Sequence, residues 1–402
     1  MPKSHSRHLA MLWATAAAGL GAVIFVRVGL ADADEPDDTA AAIQQIRSVG
    51  TEGAGSEAAT DAWRQLTRGG VDQLPSLLVA LDDANPLAAN YLRSAIDAIA
   101  AQHGDALSTD VFADFLAERT HAPRARRLAY EWLVRLDPTT PDRLLPTMLD
   151  DPSVELRRDA VARVMERAAG HEDAGESAEA KQAYRVALSG AIDRDQVDAI
   201  AAALDKLGTP VDLARHFGFI QRWKLIGPFD NVGGVGFAAE YPPEKQIDFA
   251  ARYDGKDGEV GWIDHVSEET YGNIDLYQAI KRENGTVAYA ATQFLAAEPR
   301  DVEIRYGTVN ATKIWLNGEL LDSNEVYHAN DEMDQYIVRG HMKQGENTIV
   351  LKVCQNEQEE SWAQVWKFQL RVCDETGTAV LSADRPDTGS VAQNSALRGR
   401  LN

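Results

Sequence analysis

The chain changes character near its middle, and this change constrains the fold more than any other feature. Residues 62–208 place alanine and leucine at helical spacing, whereas beyond Trp223 short runs of β-branched and aromatic residues alternate with polar ones. A period of about 3.6 residues indicates amphipathic helices, and a period of about two indicates half-buried strands. With 402 residues the chain can build more than one core. We therefore predict a multidomain protein, helical first and β afterwards.

The helical half repeats itself. An Arg-x-Ala step followed by an aliphatic or aromatic residue begins at Arg93, Arg127 and Arg158, so it recurs at intervals of 34 and 31 residues. Periods in this range are typical of stacked helix pairs. A proline stands near the start of each copy, as in Asp151-Pro152, where we expect Asp151 to cap the third helix.

The third copy, "LLPTMLDDPSVELRRDAVARV" (residues 144–164), resembles a HEAT repeat. The resemblance implies a right-handed α-solenoid that serves as a scaffold or docks a protein. Residues 178–208 depart from this pattern and look more like a tetratricopeptide-type (TPR-like) helix pair. We assign residues 61–210 to a HEAT-like and TPR-like repeat domain and residues 211–222 to a linker.

The two ends of the chain differ in composition from the rest. A positively charged start precedes an apolar run from Leu9 to Val26, and Ala31-Asp32-Ala33 fits a small-x-small cleavage pattern. We predict that residues 1–33 are a signal peptide and that the protein is periplasmic or extracellular. The alternative is an uncleaved membrane anchor through the apolar run. Residues 34–60 are predicted to be a flexible leader and residues 383–402 a disordered tail.

The charge of the chain excludes one class of partner. The formal net charge is −22, so the field around the protein repels polyanions and nucleic acid is not an expected partner. The arginine pairs Arg126-Arg127 and Arg157-Arg158 fall inside helical patterns. We predict that they lie on solvated faces or form ion pairs within their own helices.

The second half shows the turn chemistry of antiparallel sheets. Asn317-Gly318 separates two alternating runs and fits the central positions of a type I′ turn, while Gly345 and Asn347 set another turn. Short strands with turn signals between them favour a sandwich. Cys354 and Cys373 are placed on consecutive paired strands, roughly 25 Å apart at about 3.4 Å per residue, so we expect no disulfide between them.

Three segments in this half carry a resemblance: "ATKIWLNGELL" (311–321), "GENTIVLKVCQN" (345–356) and "WAQVWKFQLRV" (362–372). They are similar to the galactose-binding-like β-sandwich, the jelly-roll module that accompanies glycoside hydrolases such as the β-galactosidases. We assign residues 223–382 to this domain. The resemblance implies recognition of carbohydrate or protein through loops at one end, often without catalysis.

A sugar site needs aromatic rings outside the core, because the apolar C–H face of a pyranose stacks on a ring while its hydroxyls need planar polar partners. For each ring the alternative is that it only covers an edge of the sandwich. Asn273, Asp275 and Asn330 lie near these rings in sequence. The candidate ligand-binding residues are Tyr271, Tyr277, Tyr327, His328, Asp331 and Trp362.

No cofactor is predicted, although a structural calcium ion held by Asp331, Glu332 or Asp334 is left open. The sequence contains no zinc-protease, serine-hydrolase or phosphate-loop motif. Carboxylate pairs remain open as catalysts, since a general acid and base need only lie about 5–10 Å apart in space.

Three functions therefore stay open. The first is a non-catalytic exported protein whose helices dock a protein and whose sandwich recognises carbohydrate or an envelope protein. The second is a structural or assembly component of the envelope with no small ligand. The third is an enzyme acting on polysaccharide, or the accessory chain of one.

Overall fold

The computed structural model describes residues 38–104 and 107–385. The predicted signal peptide, its alternative as a membrane anchor, and the predicted tail from residue 386 onward lie outside the described residues. Among the residues described, no helix combines the length and the apolar character needed to cross a bilayer.

Helices with short connections make up the first half. They are α1 (Asp38–Arg47), α2 (Ser56–Leu66), α3 (Leu74–Ala80), α4 (Pro86–His103), α5 (Asp110–Ala117), α6 (Pro123–Leu136), α7 (Thr140–Leu144), α8 (Val154–Asp173), α9 (Ser177–Gly190), α10 (Arg194–Lys206) and α11 (Leu213–Phe217). Asn85 caps α4 by accepting hydrogen bonds from Leu87 N and Ala88 N. The cap of α8 is Ser153 and not Asp151 as predicted, because Asp151 is engaged by a buried arginine.

Arginines at the repeating positions connect successive long helices. Each one reaches an acidic side chain about one repeat further along: Arg93 to Glu131 at 2.7 Å, Arg127 to Asp159, and Arg158 to Asp195 at 2.6 Å. Arg127 also pairs within its own helix, with Glu131 at 3.1 Å. The arginines at these positions therefore tie α4, α6, α8 and α10 in series. The prediction of solvated or intrahelical faces is incomplete for Arg127 and Arg158. It is wrong for Arg126 and Arg157, which are buried and bind Asp151 and Gly190 O.

Two of the predicted boundaries are wrong. The segment expected to be a flexible leader contains α1 and the start of α2, and Ala42, Ile43 and Ile46 are buried in the helical core. The expected linker contains α11, and Phe217 and Phe219 are buried in that same core. Apolar side chains in both segments pack against the array and fix the backbone.

Strands make up most of the second half. They are β1 (Arg222–Asp230), β2 (Arg252–Gly255), β3 (Gly258–Gly261), β4 (Ile263–Val266), β5 (Ile274–Asp275), β6 (Thr286–Ala296), β7 (Arg300–Gly307), β8 (Ala311–Leu316), β9 (Glu319–Asn324), β10 (Tyr336–Met342), β11 (Gly345–Gln355) and β12 (Lys367–Cys373). The short helices α12 (Val235–Ala238), α13 (Pro242–Lys245) and α14 (Leu276–Ala279) lie between them.

Two antiparallel sheets share one core. The larger has the order β4-β1-β6-β11-β8-β9 and the smaller has the order β10-β7-β12-β5. Trp223 of the larger sheet meets Phe368 of the smaller at 5.1 Å between ring centroids. On β11, Ile349, Leu351 and Val353 point into this shared core. Helices followed by antiparallel sheets are therefore what the structure contains.

The outer face of the larger sheet is also covered. Residues 231–262, which include α12, α13 and the β2–β3 hairpin, pack over it. Lys352 on β11 is fully buried there, and its Nζ donates to Glu244 Oε1 at 2.7 Å and to Ala239 O at 2.7 Å. The hydrogen bonds of the buried Lys352 therefore attach residues 231–262 to the sheet.

The two cysteines lie in different sheets. Cys354 is on β11 and Cys373 is on β12, so the predicted pairing of these strands is wrong. Both thiols are free and buried. Burial raises the pKa of each to about 12, which keeps them protonated and unreactive at neutral pH.

The helical and β halves join through packed aromatic rings and a short backbone pairing. Ile220 N donates to Leu370 O at 2.9 Å, which aligns the chain after α11 with β12. Phe217 and Phe219 both contact the ring of Tyr271 at 6.1 Å between centroids. The core of the helical array therefore continues into the start of the β half.

Candidate ligand-binding rim

Loops gather at one end of the larger sheet. The register pairs Gln355 with Thr286 and Cys354 with Ala311, so β11 ends where β6 and β8 begin. Residues 231–234, 283–285, 325–335 and 356–366 meet there. We call this surface the Trp362 rim and define it by His328, Asn356, Gln358, Trp362 and Gln364.

Trp362 is the most exposed large apolar side chain at this end, with 62% of its surface accessible. Its indole lies edge to face with the imidazole of His328, at 4.9 Å between centroids and 71° between planes. His328 has a φ of 60°, a left-handed conformation that is uncommon for a residue with a side chain. This conformation costs some backbone free energy, and it is the one in which the imidazole lies against the indole.

Asn356 fixes the other edge of that imidazole. Its Nδ2 donates to His328 Nε2 at 2.7 Å and to Gln358 Oε1 at 2.9 Å. The indole therefore rests on a ring that is itself held in place.

The loop that carries Trp362 is anchored from below. Gln355 is buried, and its Nε2 donates to Ala363 O at 2.8 Å and to the hydroxyl of Tyr277 at 3.1 Å. Asn310 Nδ2 donates to Val365 O at 2.9 Å. Trp366 Nε1 donates to Val353 O at 3.2 Å from inside the core. The hydrogen bonds to Ala363 O and Val365 O satisfy backbone carbonyls of the loop and restrict its motion.

Neighbouring loops hold the same segment from the side. Gly285 N donates to Asn356 O at 2.7 Å, and Asn284 Nδ2 donates to Gln358 O at 2.8 Å. Gly233 N donates to Glu357 Oε2 at 2.7 Å. The platform is therefore built before any ligand arrives, which lowers the entropy that binding would cost.

Two of the predicted ring residues support this platform from within. Tyr277 packs against Trp366 at 5.9 Å between centroids and Tyr327 packs on the outer core of the sheet. The Tyr327 hydroxyl accepts a hydrogen bond from Asn231 Nδ2 at 3.1 Å. Burial raises the pKa of both tyrosines. Their rings cover the ends of the two cores, so their faces are not open to a sugar.

Tyr271 lies elsewhere. Its hydroxyl donates to Asp198 Oδ1 of α10 at 2.5 Å, and the guanidinium of Arg194 stands 4.4 Å from its ring centroid. Burial, and then its hydrogen bond to Asp198, raise the pKa of Tyr271. Asn273 and Asp275 serve the local chain, since Asn273 O accepts from Ser267 Oγ and Asp275 caps α14. Tyr271 therefore belongs to the contact between the two halves.

The acidic residues 331–334 are also occupied. Asp334 receives Arg371 Nη2 at 2.5 Å and Arg305 Nη1 at 3.0 Å. Burial acts to raise the pKa of Asp334, but the hydrogen bonds and charge of Arg371 and then Arg305 outweigh it and hold that pKa below its ordinary value. Asp331 pairs with Lys367, and Asn330 Nδ2 donates to Glu332 Oε1 at 3.3 Å. In the described part of the chain no three His, Cys, Asp or Glu side chains are grouped as metal ligands.

The predicted turn residues lie at the opposite end of the larger sheet. Asn317 and Gly318 form the two-residue connection between β8 and β9 with φ values of 54° and 87°. Asn317 Oδ1 accepts from Thr348 N at 3.0 Å, and its Nδ2 donates to Asn347 Oδ1 at 2.9 Å. Gly345 has a φ of 90°, which a glycine adopts without strain.

A cleft of about 630 Å³ runs between the helices and the smaller sheet. Its lining includes Arg305, Arg371 and Asp334, and Arg305 also pairs with Glu303, so two acids balance the two arginines. The Trp362 rim differs, because it presents an exposed apolar ring beside carboxamide groups. We therefore take the rim as the candidate site.

Comparisons with known proteins give no family. No family model matches the sequence, and no curated protein matches it. Among solved structures, similarity is found to an anti-sigma factor domain-containing protein from Clostridium clariflavum, with 9% identity, a TM-score of 0.24 and coverage of 41% of this chain and 45% of that one. A β-glucosidase from Kluyveromyces marxianus has 14% identity, a TM-score of 0.21 and coverage of 27% and 14%.

A family 35 carbohydrate binding module from Clostridium thermocellum has 16% identity, a TM-score of 0.18 and coverage of 23% of this chain and 73% of that one. This chain spans less than half the length of the first two structures. Scores this low carry no argument about function, so the case for a site rests on the rim itself.

Sequence reasoning selected Trp362 and His328 but missed the carboxamides around them. Asn356, Gln358 and Gln364 lie in the polar run "NEQEESWAQ" (356–364), which interrupts two apolar strands. A run of Asn and Gln beside an aromatic residue is the signal that could have identified them.

Proposed function

We propose that this protein binds carbohydrate through the Trp362 rim. The observation that supports the proposal most directly is a largely exposed indole whose position is fixed by His328 and, behind it, by Asn356. An indole face removes the C–H face of a pyranose from water, and a fixed ring does so at low entropic cost.

The polar groups near the indole suit the hydroxyls of a sugar. Both N–H groups of Asn356 are used within the protein, and one N–H of Gln364 donates to Glu359 O. The amide of Gln358 and the second N–H of Gln364 are the donors that a hydroxyl would meet. A site for a small ligand usually combines an apolar surface with a few convergent polar groups.

We propose further that the helical half is a HEAT-like array that docks a protein partner, and that the β half is a galactose-binding-like jelly roll. The serial arginine pairs support a stacked array, and two facing antiparallel sheets support the sandwich. Export through residues 1–33 would place both halves in the cell envelope.

Binding of the full chain to an array of immobilised oligosaccharides tests the proposed function. We expect at least one glycan to bind wild-type protein and to lose binding on Trp362→Ala. The matched control is Leu320→Ala, which removes another exposed apolar side chain (50% accessible) near the opposite end of the sheet and leaves the rim intact. An array without any bound glycan, or binding unchanged by Trp362→Ala, would refute the proposal and leave a purely structural envelope component.

A further inference from the structure

We infer that the Trp362 rim selects uncharged glycans and rejects acidic ones such as uronates and sulfated sugars. This inference rests on the proposed function and adds the chemical class of its ligand. It comes from the charges that the neighbouring loops place around the indole.

Acidic side chains dominate the segment that carries the indole. Glu357, Glu359 and Glu360 precede Trp362 and are exposed, and Glu325 is exposed on the adjoining loop. Within the described residues none of these four forms an ion pair. Glu357 accepts one backbone hydrogen bond from Gly233, which leaves its charge uncompensated.

Two of the three cations on the neighbouring loops, Lys256 and Lys281, are paired with acids. Lys256 Nζ pairs with Glu283 at 3.1 Å and donates to Asn284 O at 2.8 Å. Lys281 lies between Asp257 and Glu283, at 2.6 Å and 2.8 Å. Arg282 donates to Gln364 Oε1 at 3.1 Å and is one positive charge against the glutamates. The local balance around Trp362 is therefore negative, as is the whole chain at −22.

This balance acts differently on the two kinds of glycan. A carboxylate accepts hydrogen bonds and donates none, so it can bind a sugar hydroxyl but cannot bind a uronate carboxylate. An anionic ligand that stacks on Trp362 would also meet the exposed charges of Glu359 and Glu360, which precede it by three and two residues. Physiological salt screens charges over about 8 Å, so closer charges are screened only in part. Neutral sugars gain acceptors at the rim, whereas acidic sugars meet repulsion.

The test uses matched oligosaccharides that differ only at C6: galactose against galacturonate and glucose against glucuronate, at equal chain length. Binding to the full chain is measured at about 20 mM and about 300 mM NaCl. We expect the neutral member of a bound pair to bind at least about tenfold tighter at low salt, with the difference shrinking at high salt.

The double substitution Glu359→Gln and Glu360→Gln should recover most of the lost affinity for the acidic member. The control is Glu319→Gln with Glu346→Gln, which removes the same charge at the opposite end of the sheet. An acidic glycan that binds through Trp362 as tightly as its neutral partner would overturn the inference and leave the proposed function standing. Equal recovery by the control pair would assign the selection to the overall charge and overturn the role of the rim. No binding by any pair would remove the proposed function as well.

Discussion

The guanidinium of Arg126 holds both carboxylate oxygens of Asp151, with Nε to Oδ1 at 3.0 Å and Nη2 to Oδ2 at 2.5 Å, and each side chain is 2% exposed. Arg126 Nη1 also donates to Leu116 O at 3.0 Å and to Glu118 O at 2.7 Å. One side chain on α6 thereby fixes the end of α5 and the connection before α8. The neighbouring pair between Arg158 and Asp195 has the same chemistry in a more exposed place.

These two pairs should differ sharply in their effect on stability. Arg126→Met leaves a buried carboxylate and two carbonyls without their donor, so we expect a loss of about 3–5 kcal/mol in the free energy of unfolding. Arg158→Met removes a solvent-screened pair and should cost about 0–1 kcal/mol. Urea denaturation followed by circular dichroism at 222 nm measures both. A loss of equal size for the two variants would contradict the assigned role of burial.

The helical half could be predicted as far as its periodicity reaches. Prolines, caps and the Arg-x-Ala step are local signals, and they located α4, α6 and α8, although α8 is capped by Ser153 and starts two residues later than Asp151 as a cap would place it. The acceptors of Arg93, Arg127 and Arg158 lie 32 to 38 residues ahead of them, beyond any helical spacing. Residues 34–60 were assigned by composition as a leader, although Ile43 and Ile46 supply an apolar helical face that buries against α2 and α4.

The β half shows a second limit. Alternation located the strands, but it could not show that residues 356–366 cross from one sheet to the other. For this reason Cys354 and Cys373 were placed on paired strands. The same limit applies to the site, because Trp362 and Trp366 stand four residues apart in one loop and the sequence gives no sign that the first is exposed and the second buried.

The different exposure of Trp362 and Trp366 gives a prediction that compares two residues of the same type. Trp366→Ala empties a core position that is 1% exposed and should cost about 3–5 kcal/mol in the free energy of unfolding. Trp362→Ala removes a ring that is 62% exposed and stands against His328, and it should change stability by less than about 0.5 kcal/mol. Thermal and urea unfolding measure both. Unfolding caused by Trp362→Ala would place its ring in the core and end its role as a binding platform.

The buried lysine on β11 predicts a defect of another kind. Lys352 is 0% exposed and Glu244 is 9% exposed, and the Tyr289 hydroxyl donates to the same carboxylate. Lys352→Met leaves Glu244 charged without its partner, so we expect a loss of about 3–5 kcal/mol in stability together with release of residues 235–249.

Hydrogen exchange of amides in residues 235–249 measures that release directly. The double variant Lys352→Met with Glu244→Gln removes the unpaired charge as well, and it should recover part of the loss. If the single variant left exchange in this segment unchanged, Lys352 would not be what fastens it to the sheet.

His216, on α11 between the two halves, predicts how stability depends on pH. Its Nε2 donates to Ala191 O at 2.9 Å, and burial lowers its pKa below the ordinary 6.5 despite that hydrogen bond. Arg157 of α8 and Arg371 of β12 face it and lower the pKa further. The unfolded chain therefore binds a proton at His216 at a higher pH than the folded protein does. As a result the free energy of unfolding is highest above about pH 6.5 and falls as the pH drops below that value.

Urea midpoints at pH values between about 7.5 and about 5 should show this fall in wild-type protein. His216→Gln keeps a donor for Ala191 O but cannot take up a proton, so its midpoint should depend less on pH over the same range. Asp334 does not confuse the measurement, because its pKa is lowered and its contribution is lost only as the pH falls below the ordinary carboxylate value of 3.8. Identical pH profiles for wild type and His216→Gln would show that His216 is not the group that responds.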